Sequence, residues 1–69
     1  RYALIGEVGL TGEVRGISRI EDRVKEAMKL GFEGCLIPAV NASVIKNQKD
    51  FAIIPIKTVD EAIEEMFEP

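Results

Sequence analysis

The stretch that most restricts the fold is "GCLIPAV", residues 34–40, a short unbroken apolar run that follows an amphipathic segment. A strand with one solvated face alternates apolar and polar residues, because successive side chains point to opposite faces. A run without alternation suits a strand covered on both faces, as in a parallel sheet. The chain is therefore expected to be α/β, with helices packed on a sheet.

The flanking segments support this. In residues 18–30, Ile20, Val24, Ala27 and Met28 recur at helical spacing and form one apolar stripe. Gly31 suits the left-handed residue that ends a helix, with Phe32 folding back on the last turn. Residues 51–57, "FAIIPIK", read as a second strand, and Pro55 places it at an edge or near a bulge, since proline cannot donate to a ladder. A last helix opens at Thr58, carries Val59, Ala62, Ile63, Met66 and Phe67 as its stripe, and stops at Pro69. The stretch 41–50 is polar and irregular, with one helical turn expected near Asn41. At the start, "YALIGEVGL" (2–10) and "TGEVRGI" (11–17) read as a hairpin turning between Gly9 and Gly12, with Val14 on the face opposite Glu13, Arg15 and Ile17.

Both helices open with the same spacing, Ser18 three residues before Glu21 and Thr58 three before Glu61. This is the capping-box pattern, in which hydroxyl and carboxylate each satisfy an orphaned backbone N–H. Glu21 thus has a structural role before any chemistry is invoked. Lys25, four residues on, is expected to pair with it on the solvent side, where Lys29 also lies.

The chemistry available is narrow. With 69 residues the chain makes at most one small domain, one that buries only about 60% of its unfolded surface. There is no histidine, which removes Ser-His and Cys-His nucleophile pairs. The single cysteine, Cys35, can form neither a zinc site nor an internal disulfide; in its apolar run it reads as a buried thiol in a reducing cytoplasm. The glycines of "GEVGLTGEVRG" match neither a Walker loop nor G-x-G-x-x-G. Of the two serines, Ser18 is taken up as the N-cap, and Ser43 lacks the glycine neighbours of a nucleophile elbow. The net charge of −3 makes the chain alone a poor nucleic-acid binder. Arg15, Arg19 and Arg23 are the candidate phosphate or subunit contact, since arginine favours such interfaces. No apolar run approaches the roughly 20 residues of a membrane span. A start at Arg1 suggests a piece of something longer.

The motifs "GEVGL-x-GEVR" and "SRIE-x-R-x-KEA-x-KLGF", followed by "IP" and closed by "IKTVDEAIEEMF", resemble the C-terminal Lon-protease-like domain of the bacterial RadA (Sms) family of DNA repair and recombination proteins. The match covers most of the chain, least in 39–50. The resemblance implies the second half of a Lon-like, ribosomal protein S5 domain 2-like α/β fold, in the order hairpin, helix, strand, strand, helix, over residues 1–69. It also implies a longer parent: a cytoplasmic, ring-forming, hexameric ATPase that promotes branch migration on DNA. ATP, magnesium and zinc would be bound there, outside this chain. The chain itself would be a non-catalytic scaffold contributing to oligomer assembly, with no membrane contact. Its first strand, lacking its neighbours, is expected to pair with a second copy as a dimer.

True Lon peptidases carry "GGLKEK" where this chain has "SRIEDR", which puts Glu21 at the position of the catalytic lysine. A carboxylate only accepts hydrogen bonds when ionised and cannot act as the amine base of a Ser-Lys dyad. No catalytic, cofactor or metal residue is therefore expected. The rival readings are a Lon-type endopeptidase segment, a Lon-like segment of a ComM or chelatase-related ATPase, and a free-standing binding module. The chain departs from the family pattern after "IP", where Ala39 stands in place of a frequent lysine.

Overall fold

In the computed structural model, which describes residues 1–45 and 50–67, "GCLIP" is the centre of the molecule. The elements in chain order are β1 (Tyr2–Leu4), β2 (Glu7–Val8), β3 (Val14–Arg15), α1 (Ile20–Lys29), β4 (Gly34–Pro38), a short 3₁₀ helix (Ala39–Val44), β5 (Ala52–Ile56) and α2 (Val59–Phe67). The strands β1, β4 and β5 form a parallel sheet with β4 in the middle, in register Tyr2 to Gly34 and Gly34 to Ala52. All five residues of β4 are buried.

The side chains of β4 divide by parity, as a pleated strand requires. Cys35 and Ile37 face α1 and share a core with Ile20, Val24, Ala27 and Phe51. Leu36 faces the other way and packs with Val14, Ile56 and Ala62. Both faces are thus covered, which explains the absence of alternation in the sequence. Pro55 is exposed on β5, an edge strand, as its missing N–H demands.

The run 2–10 does not form one hairpin arm. It breaks at Gly6, whose φ of +148° lies outside the usual range of L side chains. Pro38 and Val14 each stand 3.0 Å from where a Cβ would sit there. Before the break β1 joins the parallel sheet, and after it β2 pairs antiparallel with β3. The expected order therefore gains a strand at its start. Only the second part of the run turns back, closed by the Gly9 N–H donating to Glu13 O at 2.8 Å and Gly12 N–H to Gly9 O at 3.1 Å.

The α1 entry also differs from the expected capping box. The N-cap is Arg19, in left-handed conformation (φ 60°, ψ 38°), and it makes no side-chain cap bond. Ser18 consequently lies one residue outside the helix, where its hydroxyl cannot serve the first turn. Arg19 O accepts from the N–H of Asp22 and of Arg23, and the Arg19 guanidinium pairs with Asp22 at 2.9 Å. No ion pair joins Glu21 to Lys25 among the described residues, consistent with two long, solvated side chains.

The exit matches expectation. Gly31 has φ +88°, its N–H reaches Met28 O, and the Phe32 N–H reaches Ala27 O, the paired bonds of a Schellman motif. Helix α2 keeps its cap: the Glu61 N–H donates to Thr58 Oγ1 at 3.2 Å. Its carboxylate reaches one residue further back than the box requires, accepting the Lys57 N–H at 3.0 Å. The helical turn expected near Asn41 is the 3₁₀ helix; residues 46–49 and the stop at Pro69 lie outside the described residues. No described helix is long and apolar enough to cross a membrane.

Met28 does not belong to the α1 core. It is 38% exposed, against 4% for Val24. Leu36→Ala should therefore lower the unfolding free energy by about 2–5 kcal/mol. Met28→Ala should stay within about 0.5 kcal/mol of the parent chain. Urea unfolding of the two variants side by side checks this assignment.

Candidate functional site

The residues singled out from the sequence lie around the entry to α1. Arg15, on β3, is exposed and committed to its neighbour: its Nη2 and Nε donate to Glu13 Oε2 at 3.0 and 3.2 Å. Arg19 is committed to Asp22. Arg23 is exposed and enters no ion pair among the described residues. Arg19 and Arg23 line a shared surface groove along α1 with Lys25 and Lys29, and Asp22 and Glu26 interleave with them. Arg15 lines neither this groove nor the one between α1 and β1 that Arg23 also borders. The structure thus brings two of the three arginines together and leaves Arg15 bound to the hairpin. Alternating signs around the groove weaken its field for a phosphate.

Glu21 is exposed in the first turn of α1 and lines a shallow groove with Lys25, Met28, Val44 and Ile45. Its carboxylate has no hydrogen-bond partner among the described residues. A negative charge there complements the helix N-terminus. Cys35 is fully buried, and burial pushes its thiol up to about 11, which keeps it protonated and unreactive at neutral pH. Among the described residues no group of three or more carboxylates and thiols is placed to hold a metal.

Two polar links were not visible in the sequence. Asn41 acts as a backbone surrogate: its Oδ1 accepts from the Ile17 N–H at 3.0 Å and its Nδ2 donates to Ile17 O at 3.1 Å. This joins the 3₁₀ helix to the segment entering α1. Its only sequence signal was an asparagine at the start of a polar stretch, because the partner lies 24 residues away.

The second is Glu13, at the base of the hairpin turn. It accepts from the Thr11 hydroxyl, the Thr11 N–H and Arg15. The neighbouring backbone also bridges to Thr58, with the Val14 N–H donating to Lys57 O and the Val59 N–H to Gly12 O. The Thr11 hydroxyl foremost, then the residue's own backbone N–H and Arg15, hold the Glu13 carboxyl down at about 2.

No protein-family model matches the chain. It is 56% identical over 59 residues to the DNA repair protein RadA of Bacillus subtilis (strain 168), covering 86% of this chain and 13% of that protein. The RadA of Listeria monocytogenes is 49% identical over the same shares of the two chains. That of Streptococcus pneumoniae (strain ATCC BAA-255 / R6) is 40% identical over 63 residues, 91% of this chain and 15% of the relative. The chain therefore spans about 13–15% of the length of these curated relatives. Its fold defines a mixed α/β segment built on a parallel sheet. By these similarities the chain matches one segment of DNA repair proteins named RadA.

The depressed Glu13 carboxyl gives a pH test. Its folded value lies below the ordinary one of 4.5, so its contribution to the hairpin is fully present above that value and is lost as pH falls through about 2. An NMR titration of the Glu13 carboxylate should show its midpoint near 2. A midpoint at the ordinary value would mean that the Thr11 and Arg15 bonds do not persist in solution.

Proposed function

We propose that the chain is a non-catalytic scaffold segment of a RadA-like DNA repair protein, folded as the second half of a Lon-like, ribosomal protein S5 domain 2-like domain. The observation that carries this reading is the 56% identity to a protein named DNA repair protein RadA. The matched stretch is 13% of that relative, so ATP turnover, zinc binding, DNA contact and branch migration are assigned to the remainder of such a protein. The order of a parallel sheet flanked by α1 and α2 is compatible with the Lon-like half-domain.

The surroundings of Glu21 support a non-catalytic role. An exposed carboxylate in a shallow, solvated groove has neither the amine of a Ser-Lys dyad nor the burial that tunes a general base. The Ser18 hydroxyl has no partner among the described residues. Cys35, the strongest nucleophile by type, is closed off in the core.

The scaffold role is self-association, as a ring in the whole protein and a dimer for this chain alone, and β1 is the element suited to it. It is an edge strand. Its bonds to β4 fall on alternate residues, as in the Ile5 N–H to Leu36 O contact, so the backbone groups of Tyr2 and Leu4 face outward. Such an edge is a template for a further strand.

Replacing the matching stretch of Bacillus subtilis RadA with this chain should preserve survival after DNA damage. A chimera that accumulates to the normal level yet leaves cells sensitive would overturn the assignment. Neither the 69-residue chain nor its Glu21→Lys variant should hydrolyse casein above a buffer control. Turnover abolished by a serine-directed inhibitor would contradict the scaffold reading. The same substitution should cost at most about 0.3–1 kcal/mol, the scale of a charge at an exposed helix N-terminus.

A further inference from the structure

The hairpin meets the entry to α2 at Glu13. The Glu13 backbone bridges to Thr58. On one side of it the Val14 N–H donates to Lys57 O at 2.8 Å, and on the other Gly12 O accepts the Val59 N–H at 2.9 Å. Val59 is the first residue of α2, so its N–H is one of the donors that a helix cannot satisfy from within. The hairpin turn therefore supplies part of the cap of α2 from far along the chain. Of the nine residues of α2 only Ala62 is buried, so within this chain the helix depends on how its entry is held.

What fixes the turn is the Glu13 side chain. Its Oε1 accepts from the Thr11 N–H at 3.2 Å and from the Thr11 hydroxyl, and its Oε2 from Arg15 Nη2 at 3.0 Å and Nε at 3.2 Å. The carboxylate is thus bonded to the turn before it and to β3 after it, and bonds to an ionised acceptor are stronger than neutral ones. It also lies directly against Gly9, where an added Cβ would overlap both of its oxygens. Gly9 has no positive φ, so its backbone would accept an alanine. Gly12, by contrast, has φ +85° and nothing within 4 Å of an added Cβ. Gly12 serves the conformation of the turn, and Gly9 serves the space for the carboxylate.

We propose that Glu13 is a latch that fixes the turn 9–12 against the entry to α2, and that Gly9 admits the latch by having no side chain. With the carboxylate in place, the turn presents Gly12 O to the Val59 N–H. With it displaced, the turn loosens and α2 loses that bond while the core around β4 stays folded, a local opening that lies below global unfolding in free energy. Glu13 is a positioning residue: its side chain bonds to no residue of α2 among the described residues, and it acts through the backbone on either side of it. Every group in the latch belongs to this chain, and the proposal does not rest on the RadA assignment.

Amide hydrogen exchange and carboxylate titration by NMR on the 69-residue chain test it. Glu13→Ala should speed exchange of the Val14 and Val59 amides roughly tenfold, the scale of a lost hydrogen bond to a charged group. The Leu30 and Phe32 amides, bonded at the α1 exit, should be unchanged. Gly9→Ala leaves Glu13 in the chain but should evict its carboxylate. The Glu13 midpoint should then rise from about 2 toward the ordinary 4.5, and the same two amides should speed up by a similar factor. In a Glu13→Ala background, Gly9→Ala should have no further effect on them, because no carboxylate is left to evict. The proposal is overturned if Gly9→Ala leaves the midpoint and the Val59 amide unchanged, or costs as much without Glu13 as with it. It is also overturned if Glu13→Ala speeds the α1 exit amides equally, since the residue would then add only to general stability.

Discussion

The structure depends on β4 being buried on every side. Parallel partners satisfy its backbone on both edges, and side chains from both helices cover its two faces. A short strand can be this apolar only because none of its backbone polar groups is left to seek water. In a chain of this size such a strand supplies much of the available core. Helix α1 packs through Ile20, Val24 and Ala27 because Cys35 and Ile37 present one face, and α2 packs through Ala62 because Leu36 presents the other.

The remaining architecture is set by how the chain reaches and leaves that strand. Gly6 lets the backbone leave the parallel sheet and start the hairpin. The hairpin is not a free arm, because Val14 enters the Leu36 side of the core and its backbone bonds to Lys57. Asn41 ties the other connection to Ile17. Through these links the start of each helix is held by a segment distant in sequence.

The functional reading follows from what the core leaves uncovered. The β1 edge offers backbone groups and suits another strand. Of the three candidate arginines, Arg15 and Arg19 are paired with local carboxylates, and Arg23 on α1 is in no ion pair among the described residues. The similarity to RadA proteins covers one short segment of them and does not assign the whole protein's activity to this chain.

Local pattern determined much of this. Two helices, two buried or edge strands, the Gly31 exit, the Thr58 cap and the inert Cys35 were legible, because periodicity, turn chemistry and capping act within a few residues. The RadA relationship was legible from its motifs. Only the tertiary structure decided that 2–10 splits at Gly6, that Arg19 rather than Ser18 takes the N-cap position of α1, and that Met28 lies outside the buried core. It alone joined Asn41 to Ile17 and left one face of α2 open. Each of these turns on a neighbour far along the chain: Pro38 and Val14 against Gly6, the 3₁₀ helix against Ile17, and the sheet position that covers Ala62 but not Met66. A stripe of apolar residues states that a face is to be buried. Which part of it is buried depends on how far the sheet beneath extends.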